Sequence, residues 1–520
     1  MKKIIATLLV FVFVMALAAG CAKQEKTPQL DFIPPTAEAD WLRESEKDKV
    51  HNPYGNAYRA YSMTQQILQD MYTDSETGGR ALQKRGTGYS ADIWNFASLI
   101  STTDRLGDLY PEDEQLLSLQ RNMIEGQDYF VRWFSSDDPR SEKWQGRVYS
   151  TQPAARKFQA SNVISYDDCM NSAARVFMDY YQKIKDDPAR ADEAEQTLQK
   201  AKDQIDFMIE DAYIPREGIE AFYWCDESNV VSPNVNALVA VEFLRLFQFL
   251  DDLGRIDGET GAVIDPEGTE ERYQTPNDGL VAVSDEEIAD EMWMTDPENK
   301  QTNRYLYYAR KAYDYCWDMM RDAQQHCYYL QRYCDYLTEP NTYKKGDEDY
   351  VGAVHPTFDL SVTGFMIQAH VTFYEFTGDD MYLDRAVEDA VGGHEYFKLY
   401  YDFGGRQVNR YVMENVWIGQ TYIWGLYELS QYRNSEEVVF LMNEWQNTMD
   451  YAYENTLVDN YVSPYLVTGW FENDATCANI SLLDCTGAAS IYAFLALWEK
   501  GIFEKDVHQH VESGVYVGQN

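Results

Sequence analysis

Apolar residues recur at helical spacing along most of the chain, and they fall into six stripes. Ile93, Phe96, Ala97 and Ile100 make the first; Met170, Ala173, Ala174 and Phe177 the second; Val239, Phe243, Leu246, Phe247 and Leu250 the third. Val362, Phe365, Met366, Ala369, Phe373 and Phe376 make the fourth, Val416, Gly419, Ile423, Leu426, Tyr427 and Ser430 the fifth, and Ala488, Ile491, Tyr492, Leu495 and Trp498 the sixth. Recurrence at i, i+3, i+4 and i+7 predicts helices with a buried face. Between the stripes lie helix-patterned stretches with more charge, at residues 190–211, 380–398 and 436–454, and further ones near 57–72, 113–133 and 303–321. A helix surrounded by protein needs few charges, whereas one with a solvated face carries them. The alternation therefore predicts inner and outer helices, twelve in all, arranged as hairpins. A linear stack would bury each hairpin only against its neighbours, while closing six into a ring buries the inner helices all round and leaves a central funnel. The predicted fold is all-α, an (α/α)6 toroid of six helical hairpins.

The ends and one internal stretch depart from this pattern. Lys2 and Lys3, an apolar run over residues 4–17 and small residues up to Gly20 have the three parts of a secretory signal, residues 1–20. Leu17-Ala18-Ala19-Gly20-Cys21 resembles a bacterial lipobox, which makes Cys21 the expected point of lipid attachment and the cell envelope the expected location, with the membrane as a partner through that anchor. Residues 21–40, with Pro28, Pro34 and Pro35 among Lys and Gln, read as a flexible tether. The folded domain is expected over residues 41–505, with a tail at 506–520. Its one long gap between stripes holds an acidic excursion at residues 254–303, including Asp257, Glu259, Asp265, Glu267, Glu270 and Glu271, whose composition fits a surface segment with little core of its own. These acids match no EF-hand spacing.

Charge narrows the partners. With 86 acidic against 44 basic residues the formal net charge is -42, a surface that repels nucleic acid and anionic headgroups and suits a neutral or cationic substrate. Eight cysteines include Cys21. The remaining Cys169, Cys225, Cys316, Cys327, Cys334, Cys477 and Cys485 are odd in number and have neither zinc-ribbon nor CxxC spacing, so buried thiols or an incidental bridge are expected rather than a metal site. Cys327 and Cys334 beside His326 are the nearest approach to a metal-binding set. No Gly-rich phosphate loop, Ser-His-Asp order or His-Glu zinc signature is present. No cofactor is called for.

The candidate chemistry is Ser165-Tyr166-Asp167-Asp168, at the start of the second stripe. Ser165 can cap a helix and the acids would then occupy its first turn, where the dipole favours anions. Paired carboxylates are also what glycosidic bond cleavage requires, one as nucleophile or base and the other as proton donor.

Around this motif the chain resembles glycoside hydrolase family 76, the α-1,6-mannanases. Phe376-Thr377-Gly378-Asp379-Asp380-Met381-Tyr382-Leu383-Asp384-Arg385-Ala386 is similar to that family's repeated hairpin turn, residues 218–226 to its cleft-lining segment, and residues 482–489 to the start of its closing helix. The resemblance implies a retaining glycosidase, with Asp167 as nucleophile and Asp168 as general acid and base, acting on α-1,6-mannan or a related α-linked polysaccharide or oligosaccharide. Two places differ from the family: Cys169, Met170 and Asn171 follow the acids where an aromatic residue is usual, and Ser361-Val362-Thr363-Gly364 replaces a more polar helix entry.

Sugar rings have apolar faces edged by hydroxyls, so a cleft for them uses aromatic platforms beside acids and amides. Among 40 Tyr and 12 Trp, the residues near inner-helix starts are Trp94 after Asp92, Tyr166, Trp224 beside Asp226, and Trp417 after Glu414; each is equally open to a role in core packing. His355 and Asp359 precede the fourth stripe and are expected at the same mouth. Two other classes of function remain open on sequence alone: a noncatalytic glycan-binding surface lipoprotein of a polysaccharide uptake system, and another enzyme on a helical toroid such as a lyase or an epimerase. The sequence leaves oligomeric state open.

Overall fold

A computed structural model describes residues 53–74, 78–111, 113–151, 164–215, 219–226, 230–258, 260–264, 279–284, 295–296, 300–333, 357–412, 415–470 and 477–513. The signal, Cys21, the tether, Cys334, His355 and Glu414 lie outside the described residues.

The fold is all-α. Its helices are α1 (Pro53–Met71), α2 (Ile93–Leu109), α3 (Glu114–Gly126), α4 (a π-helical turn, Asp168–Ala174, continuing as Arg175–Ile184), α5 (Ala191–Asp211) and α6 (Pro233–Asp252). They continue as α7 (Arg304–Asp314, then a π turn Tyr315–Met320), α8 (Leu360–Thr377), α9 (Asp380–Phe397), α10 (Val416–Tyr432), α11 (Glu436–Thr456) and α12 (Leu482–Ser513). Each even-numbered helix carries one of the apolar stripes. These six pack in order, α2 on α4, α4 on α6, α6 on α8, α8 on α10, α10 on α12, and α12 returns to α2. The ring of inner helices is closed, with the odd-numbered helices outside it.

Burial follows the sequence pattern. α8 is buried without interruption from Leu360 through Phe373, whereas α9 and α11 bury one face only. Short polar side chains start the helices by accepting their orphan N–H groups: Asp92 for α2, Asp113 for α3, Ser232 ahead of Pro233 for α6, Asp359 for α8, Asp379 for α9 and Asn415 for α10. The Thr377-Gly378-Asp379 turn ends α8 with Gly378 at φ 71°, and Asp379 opens α9 at once, as its sequence predicts.

The connections sort by length onto two ends. Links from an inner helix to the next outer one are short turns, apart from the acidic excursion after α6. Links from an outer helix to the next inner one are long and carry two-stranded ribbons, such as Tyr213–Ile214 with Ala221–Phe222 and Tyr400–Phe403 with Arg406–Asn409. The long loops therefore gather at the N-terminal ends of the inner helices and form the mouth of the ring. The acidic excursion lies at the opposite end; its described part holds a three-stranded sheet of Leu280–Ala282, Gln301–Asn303 and Thr295–Asp296, tied to Gly261 by the Asn303 amide.

Gly364, in the segment that departs from the family, is explained by packing. A Cβ there would lie 2.4 Å from the Thr421 carbonyl oxygen, and one at Gly425 would lie 2.6 Å from the Gly364 carbonyl, so α8 and α10 meet backbone to backbone. Gly364→Ala is expected to destabilise the protein by about 1–3 kcal/mol through overpacking. Gly501→Ala, in open space on α12, should be neutral or slightly stabilising. Denaturant unfolding of both variants checks the contrast.

Candidate active site

Residues 164–226 build the mouth where α4 begins. Ile164 and Asp226 exchange backbone contacts, Ser165 bridges Cys225, and the Tyr166 N–H donates to the Trp224 carbonyl at 2.9 Å. The Asp226 carboxylate strengthens this pairing by accepting the Ile164 N–H at 2.9 Å, and Arg140 binds Asp226, Asp211 and Asp138 together at 3.3, 3.1 and 2.9 Å. The chain thus enters α4 from a pinned strand. Ser165 then caps the helix, its hydroxyl accepting the Asp168 N–H at 3.3 Å. The acids lie in the first turn, as the sequence suggests, but the helix then widens into the π turn.

Asp168 is 5% exposed. Its Oδ2 accepts the Thr151 hydroxyl at 2.6 Å and its Oδ1 the Ser172 hydroxyl at 3.3 Å. Burial, and then the charges of Asp167 and Asp92, push its pKa up to about 7 against the pull of those two hydroxyls. Asp167 is half-buried, and its Oδ1 is enclosed with no hydrogen-bond partner. Burial pushes it up to about 6, with Arg175 two turns further along the helix pulling the other way. The site at neutral pH therefore holds one carboxylate mainly ionised and one carboxyl about half protonated, the condition a nucleophile and a proton donor need.

The aromatic candidates divide. Trp94 and Trp417 meet edge to face with centroids 4.7 Å apart, on the inner wall where α2 and α10 start. Trp94 is half-buried with its Nε1 unpartnered, and with Asn171 and Gln420 the pair lines a slot of about 20 Å³, enough for a single water. Trp224 is 46% exposed beside the strand that carries the acids, an open indole at the mouth. Tyr166 is in the core instead: its ring packs on Phe207 and its hydroxyl donates to Asp211 at 2.6 Å. Asp226 braces the backbone beside the acids, as above. Asp359 caps α8 and is bound to Ser361.

Four further residues reach the pair, and the sequence pointed to them unevenly. Thr151 stands in a connecting loop with no motif. Asp92 had a signal as a helix cap, and it also adds negative charge against Asp168. Ser172 follows from its position four residues after Asp168. Arg175 had the strongest signal, a lone cation within an apolar stripe. Buried thiols at Cys169, Cys316, Cys327 and Cys485 agree with the reading of the cysteines as packing residues.

Because both acids hold protons more tightly folded than unfolded, their contribution to stability is full below about pH 4 and is lost as pH rises through 6 to 7. Asp168→Asn, which carries no charge to bury, is therefore expected to be more stable than the parent at pH 8, by up to about 4 kcal/mol, and no more stable at pH 4. Paired denaturant titrations at the two pH values measure this.

No protein-family profile matches the sequence, and no curated protein is similar to it. Solved structures are. A glycoside hydrolase family 76 mannosidase from Bacteroides thetaiotaomicron superposes with a TM-score of 0.61 at 18% identity, over 86% of this chain and 99% of its own. A family 76 glycoside hydrolase from a bovine strain of that species gives 0.61 at 17% identity, over 85% and 78%. An inactive α-1,6-mannanase variant from Salegentibacter sp., with two consecutive aspartates replaced by alanine and α-1,6-mannotetrose bound, gives 0.57 at 13% identity, over 85% and 99%. Across the described ring of hairpins, this chain has the fold of the family 76 glycoside hydrolases.

Proposed function

We propose that the protein is a retaining glycoside hydrolase that cleaves α-1,6-mannan or a related α-linked glycan at the mouth of the ring. The observation that carries the reading is the Asp167–Asp168 pair on one helix turn, buried enough to hold Asp168 near pKa 7 beside a lower-titrating Asp167. A shared fold alone would not select a reaction. The replacement of two consecutive aspartates in the inactive Salegentibacter mannanase supports the same chemistry here. Asp167 attacks the anomeric carbon while Asp168 gives its proton to the departing glycosidic oxygen. Asp168, now a base, takes a proton from water as that water displaces Asp167 and releases the sugar. Arg175 supports the carboxylate of Asp167 before the attack and again as water displaces it, and Thr151 supports that of Asp168 in the second step.

The open indole of Trp224 and the exposed part of Trp94 supply apolar surface for sugar rings, with the buried Trp417 backing Trp94, and the acidic surface suits a neutral polymer. The leader and Cys21 support a lipid-anchored enzyme of the cell envelope.

Reducing-sugar release from α-1,6-mannan tests the reading, and it should disappear in both Asp167→Asn and Asp168→Asn. Wild-type protein that retains mannan without cleaving it would make this a binding protein instead. The pH profile of kcat/KM should be a narrow bell, with its acid limb near 6 where Asp167 gains a proton and its alkaline limb near 7 where Asp168 loses one. Thr151→Val removes a hydroxyl that favours the Asp168 carboxylate, so it should move the alkaline limb to higher pH and leave the acid limb in place.

A further inference from the structure

A second cavity, of about 590 Å³, opens at the other end of the ring, among the C-terminal halves of α2, α4, α6, α8 and α10. Its volume lies within the range of small-molecule sites, about 300–1,000 Å³. Trp424 separates it from the slot beneath the mouth, lining both, with the guanidiniums of Arg105 and Arg175 over its ring at 4.3 and 4.5 Å. The two spaces are therefore distinct.

The wall chemistry defines what can enter. Its cations are all held by acids: Arg105 by Asp104 at 2.7 Å, Lys183 by Asp104 and Asp108 at 2.8 and 3.0 Å, Arg245 by Asp179 and Glu242 at 2.7 and 2.9 Å, and Arg175 by Glu242 at 2.5 Å. Glu428 accepts the Trp424 indole N–H at 2.9 Å, and Glu375 the Tyr432 hydroxyl at 2.5 Å. An anionic ligand would have to break these pairs and would face a wall on which acids outnumber cations. Three buried atoms on the same wall lack a partner in the protein: Arg175 Nη1, Gln368 Nε2 and Asp179 Oδ2. Arg175 and Gln368 are 2% and 4% exposed. Two spare donors and one spare acceptor match a group that both accepts and donates, which is what a hydroxyl does. Gln182, Gln248 and Gln431 add side-chain amides, and Phe249 and Tyr427 add aromatic surface.

We propose that this far-end cavity is a second ligand site, taking a hydroxyl-rich molecule of mono- to disaccharide size that carries no negative charge. The argument stands on the cavity and its wall and is independent of what happens at the mouth. D-mannose is the probe, with D-glucuronate as its anionic counterpart, and titration calorimetry on the whole protein is the measurement. D-mannose should bind better than D-glucuronate. Gln368→Leu should weaken that binding by about tenfold, the loss of roughly one buried hydrogen bond. Gln248→Leu, at a half-buried position that tolerates change, should weaken it in the same direction, with mannan hydrolysis unchanged in both variants.

D-mannose affinity unaltered by both substitutions would overturn the proposal, as would no mannose binding or tighter binding of D-glucuronate. The outcomes separate from those at the mouth. If the protein releases nothing from mannan yet Gln248→Leu weakens mannose binding, the far-end site stands and the hydrolase reading falls. If mannan is cleaved and neither glutamine matters, the reverse holds.

Discussion

One guanidinium reaches four of the six inner helices. Arg175 belongs to α4, pairs with Glu242 of α6, and lies over Phe365 of α8 and Trp424 of α10. Arg175 is 2% exposed and Glu242 fully buried, so neither charge has water to fall back on, and removing one partner of such a pair typically costs about 3–5 kcal/mol. Apolar residues of similar volume could fill the same space at less cost, so the pair is poorly explained as a stabilising device. Its position explains it better. The positive charge is the one influence drawing the buried Asp167 back toward ionisation, and the same group helps to close the ring's axis below the mouth.

The site follows from this. In a ring of apolar helices a carboxyl loses its hydration, and two adjacent ones raise each other's proton affinity. The charges of Asp167 and Asp92 beside Asp168 and a distant cation for Asp167 divide the titrations, while two hydroxyls keep Asp168 from rising further. The pinned strand behind them, held by Asp226 and Arg140, keeps the pair from relaxing toward solvent.

Much of the architecture was legible in the sequence because it is written in periodic features: stripes of Ala, Phe and Leu, charged stretches between them, and Ser, Asp or Asn at helix starts. The Thr377-Gly378-Asp379 turn could be read directly. What periodicity cannot carry is contact between distant segments. Thr151 on Asp168 and the Arg140 cluster join loops far apart in sequence, and nothing local marks them. Tyr166 stands near an inner-helix start as a sugar contact would, but neighbours on a helix point in different directions, and its ring turns inward to Phe207. The far-end cavity was illegible for a related reason: its wall is assembled from single residues on five helices, each of which reads alone as an ordinary charged helix end.

The π turn at Asp168–Ala174 bears on how such a site can change. A π turn holds one residue more than the α-helical path would, and each residue of an α-helix advances the chain by about 100°. Loss of a single residue between Cys169 and Ala174 would restore the regular helix and leave the acid pair facing as it does relative to Arg175, because the wide turn already absorbs the extra residue; the same loss from a regular turn would rotate the pair by about 100°. Within this turn a one-codon deletion adjusts the surroundings of the two carboxyls, whereas in the regular part of the helix it changes the direction in which they face. The π turn is thus the one stretch of α4 whose length can change by a residue while the acids still face the mouth.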